Sequence, residues 1–350
     1  MFLLQLDVTK NLFKNAVVVG CGSIGSKHAK YLYTCADSVS IVDPLIKNLS
    51  SIKINKHYND IWDLDNASSY EDLAVVANWG PDHYNTITTL INKGYQNLVF
   101  EKPIVCSLQE LCEIEKLSKN TSIRVVVNQG WHYEFIADRV NDLAKKLGLG
   151  DPKAIWITGG ARCMSTAGSH YIHLARNLLN SDPLQVMALL DQEKINPRSG
   201  DLEYIDGVIA IKMESNARVS LSYSNKSSIE GEFQILWRDA HGYIDDKNIK
   251  ITRRSIDRPY ADIVTRYGKP NEVVFDGEIP SLNSDSLTQL ESLYMALKNY
   301  SYTDLMTAFD SHILTTKTLL YALISNSLAR SVHLNENFSE DLYQKRFAIS

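Results

Sequence analysis

A chain of 350 residues, 44% hydrophobic and 22% charged, has the make-up of a water-soluble globular protein and is long enough for two domains. A formal net charge of −5 with no block of like charges argues against a nucleic-acid partner or a membrane surface, and no stretch is long and apolar enough to span a bilayer. Five cysteines, odd in number and without C-x-x-C spacing, read as free thiols of a reducing cytoplasm.

Phe2-Leu3-Leu4-Gln5-Leu6 is too short for the core of a secretion signal. The first strong element is Ala16 to Val19, a β-branched run that ends in Gly20-Cys21-Gly22-Ser23-Ile24-Gly25 and opens into a helix over 26–33. In a first βα turn each of these glycines has a task. Gly20 makes the tight turn, Gly22 lets the backbone approach a pyrophosphate, and Gly25 lets the helix lie close to the strand. A strand over 38–42 follows, and Asp43 at its carboxyl end stands where an acidic residue hydrogen-bonds an adenosine ribose. That acid, with no arginine at Pro44 or Leu45, favours NAD over NADP; Lys47 is the one nearby cation against it.

Further along, a short strand is expected near 58–62, a buried strand over 73–77, and a helix over 82–93 between Gly80-Pro81 and Gly94. The strand 98–100 leads into Glu101-Lys102-Pro103. Ser107 and Glu110 form a capping box for a helix to about 118, and 123–127 is a strand. Apolar strands alternating with helices predict a parallel sheet covered on both faces. From 135 the pattern changes. A helix over 135–147, a strand over 153–158 and a helix over 169–179 precede consecutive strands at 184–190, 204–213, 218–223, 230–237 and 249–253, turned by Asn216-Ala217 and Asp245-Asp246. Helices over 286–298 and 310–329 close the chain.

The fold class is therefore an α/β Rossmann domain with a doubly wound parallel sheet over 1–128, then an α+β domain with an open, mainly antiparallel sheet over 129–350, its last helices able to pack back on the first domain. Ile209, Ile211 and Met213 alternate with Val208, Ala210 and Lys212, so both faces of the second sheet carry apolar residues and the outer one suits a partner.

Lys102, coming off a buried strand at the carboxyl edge of a parallel sheet, faces the nicotinamide end of a bound cofactor, where a desolvated lysine can hold or donate a proton. His170 fits an acid/base group that titrates near neutrality, beside a glycine loop on the first turn of its helix. His173 lies three residues on, but no third ligand at a recognisable spacing makes a metal site.

Taken together, Gly20 to His28, Gly80-Pro81-Asp82-His83, Glu101-Lys102-Pro103 and Gly168 to Arg176 resemble the Gfo/Idh/MocA oxidoreductases over nearly the whole chain. The resemblance implies NAD(P)-dependent hydride transfer at a carbinol or keto carbon of a sugar, sugar acid, cyclitol or sugar nucleotide. It implies cofactor contacts from Gly20, Gly22, Ser23, Ile24, Gly25, Asp43, Asn78, His83, Glu101 and Lys102. Catalysis falls to Lys102, His170 and Thr166, and substrate contacts to Lys102, Trp131, His132, Arg162, His170 and His173. Where family members carry aspartate, histidine and a second aspartate, this chain has Thr166, His170 and His173, and Trp131 stands where an arginine is common. Two lost carboxylates, with Arg162 and Arg176 nearby, favour an anionic substrate. They also leave open an NAD-binding sensor or regulatory protein that has lost catalysis.

Overall fold

The computed structural model describes residues 12–45, 54–130, 136–160, 163–193, 202, 204–229, 231–244, 248–254, 271–278 and 286–349. Six strands form a wholly parallel sheet: β1 (Phe13–Val19), β2 (Ala36–Val42), β3 (Lys56–Tyr58), β4 (Leu73–Val76), β5 (Asn97–Glu101) and β6 (Arg124–Asn128), in the order β3-β2-β1-β4-β5-β6. β4 and β5 are buried at every position, which is why their sequences read as unbroken apolar runs. Strand order reverses between β1 and β4, and a crevice opens there at the carboxyl ends of the strands.

Helices α1 (Ser23–Cys35), α2 (His83–Asn92) and α3 (Leu108–Asn120) make the crossovers. Ser107 caps α3 as its sequence predicts, its hydroxyl accepting from the Glu110 N–H at 3.2 Å, while the Glu110 carboxylate reaches back to the N–H of Cys106 at 3.1 Å. The strand expected near 58–62 ends at Tyr58. Asp60 accepts from the Trp62 N–H and folds 61–63 into a single 3-10 turn instead.

Beyond α4 (Ile136–Lys146), nine strands form a second sheet: β7 (Ala154–Gly159), β8 (Pro183–Glu193), β9 (Tyr204–Met213), β10 (Arg218–Tyr223), β11 (Glu232–Leu236), β12 (Ala240–Ile244), β13 (Asn248–Arg254), β14 (Asn271–Glu278) and β15 (Val332–His333). It is antiparallel except where β7 lies parallel to β10. Three strands escape the sequence reading, among them β15, which is only two residues long. β12 contains Gly242, and β14 is exposed along most of its length, so neither carries an apolar alternation. Asn216, at φ +64°, turns the chain between β9 and β10 as expected, whereas Asp245-Asp246 lies outside the described residues.

α5 (Met164–Leu179) starts five residues before the predicted 169, which moves His170 from the first turn into the second. α6 (Ser286–Asn299) and α7 (Tyr302–Leu328) follow the second sheet, and the short α8 (Glu340–Gln344) comes last. α7 begins at Tyr302 rather than 310 because Ser301 caps it, accepting from the Asp304 N–H at 3.1 Å.

Two cores result. Leu290, Leu293, Tyr294 and Leu297 of α6 join α1 over one face of the parallel sheet. The opposite face, under α2, α3 and α7, runs without a break into the core beneath the second sheet. Arg124 of β6 donates to the carbonyls of Leu297 (2.7 Å) and Tyr300 (2.9 Å), tying the end of α6 to the sheet it covers. All five cysteines are free, and no described helix is long and apolar enough to cross a membrane.

Candidate active site

The turn after β1 is built on steric necessity. Gly20 has φ +88°, and a Cβ on it would sit 2.4 Å from the Asn78 Cα at the end of β4. A Cβ on Gly25 would lie 1.9 Å from the Gly20 carbonyl oxygen. Gly22 differs, since a Cβ there meets nothing within 4 Å. It stands at the N-cap of α1, which has no side-chain cap and no acidic residue in its first turn, formed by Ser23 and Ile24. The helix thus presents uncapped N–H groups to an open cradle, as a bound pyrophosphate requires.

Beside this cradle lies a cleft of about 950 Å³, lined among others by Gly20, Gly22, Asp43, Asn78, Trp62 and Trp79. Both oxygens of Asp43 are fixed, one by the N–H of Cys21 (2.7 Å) and the other by that of Leu45 (2.8 Å). Each carboxylate oxygen keeps a further lone pair for a ligand hydroxyl. Asn78 donates to the Thr86 hydroxyl at 2.9 Å and shapes the opposite wall. These residues fit an adenosine diphosphate.

At the other end of the crevice, β5 delivers Glu101 and Lys102. Glu101 is buried, and its Oε1 accepts from Nε2 of His28 (2.9 Å) and Nδ2 of Asn128 (2.7 Å). Burial alone would raise its pKa, but these two bonds and the Lys102 cation hold the carboxyl below its usual range. His83 is also buried and bridges two loops, with Nδ1 2.8 Å from the Pro103 carbonyl and Nε2 3.2 Å from that of Asn78. Burial holds it below the usual imidazole range.

His170 reaches this end from α5. Its ring lies against Gly130, where a Cβ would be 2.7 Å from Nδ1, and it is hydrogen-bonded to the backbone of Gln129. Desolvation first, and the Lys102 cation second, push its pKa down to about 4. The ring is therefore neutral at pH 7, which corrects the expectation of titration near neutrality. The histidine and the lysine, far apart in sequence, are close enough for one charge to act on the other.

The family model for the Gfo/Idh/MocA oxidoreductase family, with its NAD-binding Rossmann fold, matches residues 14–129. Over this segment the chain is similar to the Gfo/Idh/MocA NAD-binding domain. Solved structures of similar fold extend the likeness over both sheets. An NAD-binding protein from Listeria innocua shares 15% identity at a TM-score of 0.70, covering 92% of this chain and 98% of its own. An oxidoreductase from Agrobacterium radiobacter, solved with NAD+, L-tartaric acid and magnesium, shares 15% at 0.66, covering 92% and 98%. Scyllo-inositol dehydrogenase from Lactobacillus casei, solved with NAD(H) and scyllo-inositol, shares 12% at 0.63, covering 93% and 100%. A search of curated proteins finds no match.

Of the residues expected to hold the cofactor, Gly20, Gly22, Asp43 and Asn78 line the cleft and Ser23 and Ile24 open α1 beside it, while Glu101 and His83 spend polar atoms on protein partners. His173 departs from its expected place. It is buried against α7, with Nδ1 3.1 Å from the Thr315 hydroxyl and the ring stacked on His312 at 4.5 Å, so it cannot touch a substrate without displacement. Arg176 is likewise committed to an ion pair with Asp182 and to bonds with the Ser311 carbonyl (2.6 Å) and hydroxyl (2.7 Å). That removes it from the case for an anionic substrate. Thr166 lies partly exposed in the first turn of α5. Trp131, His132, Arg162 and Lys47 lie outside the described residues. No three His, Cys, Asp or Glu among the described residues gather as metal ligands.

Gly130 carries a role that the sequence reading did not give it. At φ +62° and against the His170 ring, it is expected to reject a side chain. Gly130→Ala should cost about 1–3 kcal/mol in a denaturant melt and displace the ring. A melt equal to wild type would show that the contact relaxes freely.

Proposed function

We propose that this protein is an NAD-linked dehydrogenase that moves a hydride between nicotinamide and a carbinol or keto carbon of a carbohydrate-like substrate: a sugar, sugar acid, cyclitol or sugar nucleotide. The observation that carries this reading is that Lys102 follows β5 and the His170 ring lies against Gly130, just past the neighbouring β6, so a lysine and an imidazole from different elements share the carboxyl edge of the parallel sheet. The neighbours solved with L-tartaric acid and with scyllo-inositol support a small polyhydroxylated substrate.

Bound nicotinamide supplies or accepts the hydride. Lys102 hydrogen-bonds the reacting oxygen, giving its proton in reduction and, as the amine, receiving it in oxidation. His170, neutral at working pH, holds a substrate hydroxyl rather than storing a proton, and Thr166 orients the substrate or the ring. NAD is preferred to NADP because a 2′-phosphate would meet the Asp43 carboxylate, with Asp60 and Asp82 also lining the cleft. Absorbance at the NADH band, with NAD or NADP offered alongside sugars, sugar acids, cyclitols and nucleotide sugars, tests this reading. Tight NAD binding without turnover on any of them would overturn it in favour of a sensor.

We place the protein in the cytoplasm on its free thiols, and assembly on the outer face of the second sheet. Trp156, Met187, Leu189 and Val208 are exposed there at 44%, 42%, 64% and 37%, while the alternate Val186, Ala188 and Ile209 are buried. Such a patch suits a second copy of this chain. A dimer or tetramer is expected by sedimentation at micromolar concentration, and a monomer would refute it.

A further inference from the structure

Beneath Lys102, three buried side chains from three elements form an unbroken row. The Tyr294 hydroxyl of α6 lies 2.6 Å from Nδ1 of His28 on α1, and Nε2 of His28 lies 2.9 Å from Oε1 of Glu101 at the end of β5. Tyr294 and His28 are both 0% exposed. Chemistry fixes one end of the row. An ionised Glu101 only accepts, so His28 carries a hydrogen on Nε2, while its Nδ1 is hydrogen-bonded to the tyrosine hydroxyl. Tyr294 remains a donor, because burial first, with Cys35, Glu101 and Tyr31 adding to it, keeps its pKa well above the ordinary phenol value. Its ring has a single seat, stacked on Tyr31 at 5.2 Å and 4° and edge-on to Phe13 at 6.0 Å.

The groups facing Glu101 are Lys102 beside it, His28 from α1, Asn128 from β6, and more distantly His83 from α2 and His170 from α5. Both of those last two histidines are held neutral. The row thus places one buried carboxylate, held at Oε1 by two hydrogen bonds, on the residue preceding the lysine at the reacting position.

We propose that Tyr294, His28 and Glu101 form a buried positioning relay that keeps Lys102 cationic, so that α6 governs the protonation of the group that meets the substrate oxygen. This rests on the reading of Lys102 as the proton carrier. A lysine held as a cation at neutral pH is ready to give its proton to a carbonyl oxygen, and becomes a base for alcohol oxidation only at higher pH. The relay therefore biases the site towards reduction.

Competitive labelling with acetic anhydride across pH, with the Lys102 peptide followed by mass spectrometry, measures the lysine in the intact protein without substrate or cofactor. Glu101→Gln is expected to lower the labelling midpoint by about one to three pH units, since it removes an adjacent opposite charge. Tyr294→Phe deletes one oxygen from the row and should move the midpoint the same way by less. Tyr31→Phe keeps the stacked ring and should leave it unmoved. An unmoved midpoint in Glu101→Gln overturns the proposal, and should that variant not fold, an unmoved midpoint in Tyr294→Phe does the same. A midpoint that moves as expected in a protein with no turnover on any offered substrate sustains the relay and overturns the dehydrogenase reading instead.

Discussion

Replacing Lys102 with methionine is expected to lower turnover roughly 10²- to 10⁴-fold, the usual loss when a positioned proton donor is removed. NADH binding measured by fluorescence in the same variant separates lost chemistry from a lost site. The substitution should also register at His170. The lysine cation is the second cause of that ring's depressed pKa of about 4, so Lys102→Met should raise the imidazole midpoint, read by proton NMR. A midpoint unchanged at about 4 would mean that burial alone sets it.

The sign of the pH effect on stability follows. His170 folds with its pKa below the ordinary 6.5, so as pH falls through 6.5 the unfolded chain takes up the proton first. The contribution of the neutral ring is full above about 6.5 and is lost progressively down to about 4. Raising the folded midpoint in Lys102→Met narrows that window, which denaturant melts at pH 7, 5.5 and 4.5 would resolve.

The glycine loop carries the second large effect, a contrast between two changes three residues apart. Gly25→Ala places a methyl group 1.9 Å from the Gly20 carbonyl oxygen, where backbone rather than a flexible side chain must yield. It is expected to cost about 1–3 kcal/mol or more and to abolish cofactor binding with the displaced turn. Gly22→Ala, with nothing within 4 Å and φ −70°, should leave the melting temperature within a degree or two of wild type yet weaken NADH at least about tenfold, because its Cβ enters the space that the pyrophosphate occupies. Equal NADH affinity in Gly22→Ala and wild type would place the phosphates elsewhere.

Much of this site is legible in the sequence because it is local. Gly20, Asp43 and Lys102 each follow a strand directly, with Gly22 and Gly25 in the turn and helix start that come next, and a strand's carboxyl end fixes where such residues go. The carboxylate of Glu101 follows the same rule, but its partners do not. His28 stands in the first helix and Tyr294 lies 266 positions away, and no periodicity connects them. His173 and Arg176 mislead for the opposite reason. They sit on the same helix as His170 and look like site residues, but the helix turns them towards α7, which the sequence reading started at 310, level with their partners rather than before them. The parallel β7–β10 pair was unreadable because its direction depends on which strand inserts between two others; β12 was unreadable because its buried positions are Ala240, Gly242 and Ile244, and β14 because it buries almost nothing.

The placement of α6 bears on how the chain reaches this state. Leu290, Leu293 and Leu297 cover the parallel sheet beside α1, yet they leave the ribosome only after every strand of the second sheet but β15 has been made. At ~5–20 residues per second, that delay is on the order of ten to thirty seconds. Throughout it, one flank of β6 and the apolar side of α1, with Leu32 among its residues, lack their permanent cover. The nascent amino-terminal half is then a client for chaperones, and truncation before residue 286 should give an aggregating fragment rather than a free-standing nucleotide binder.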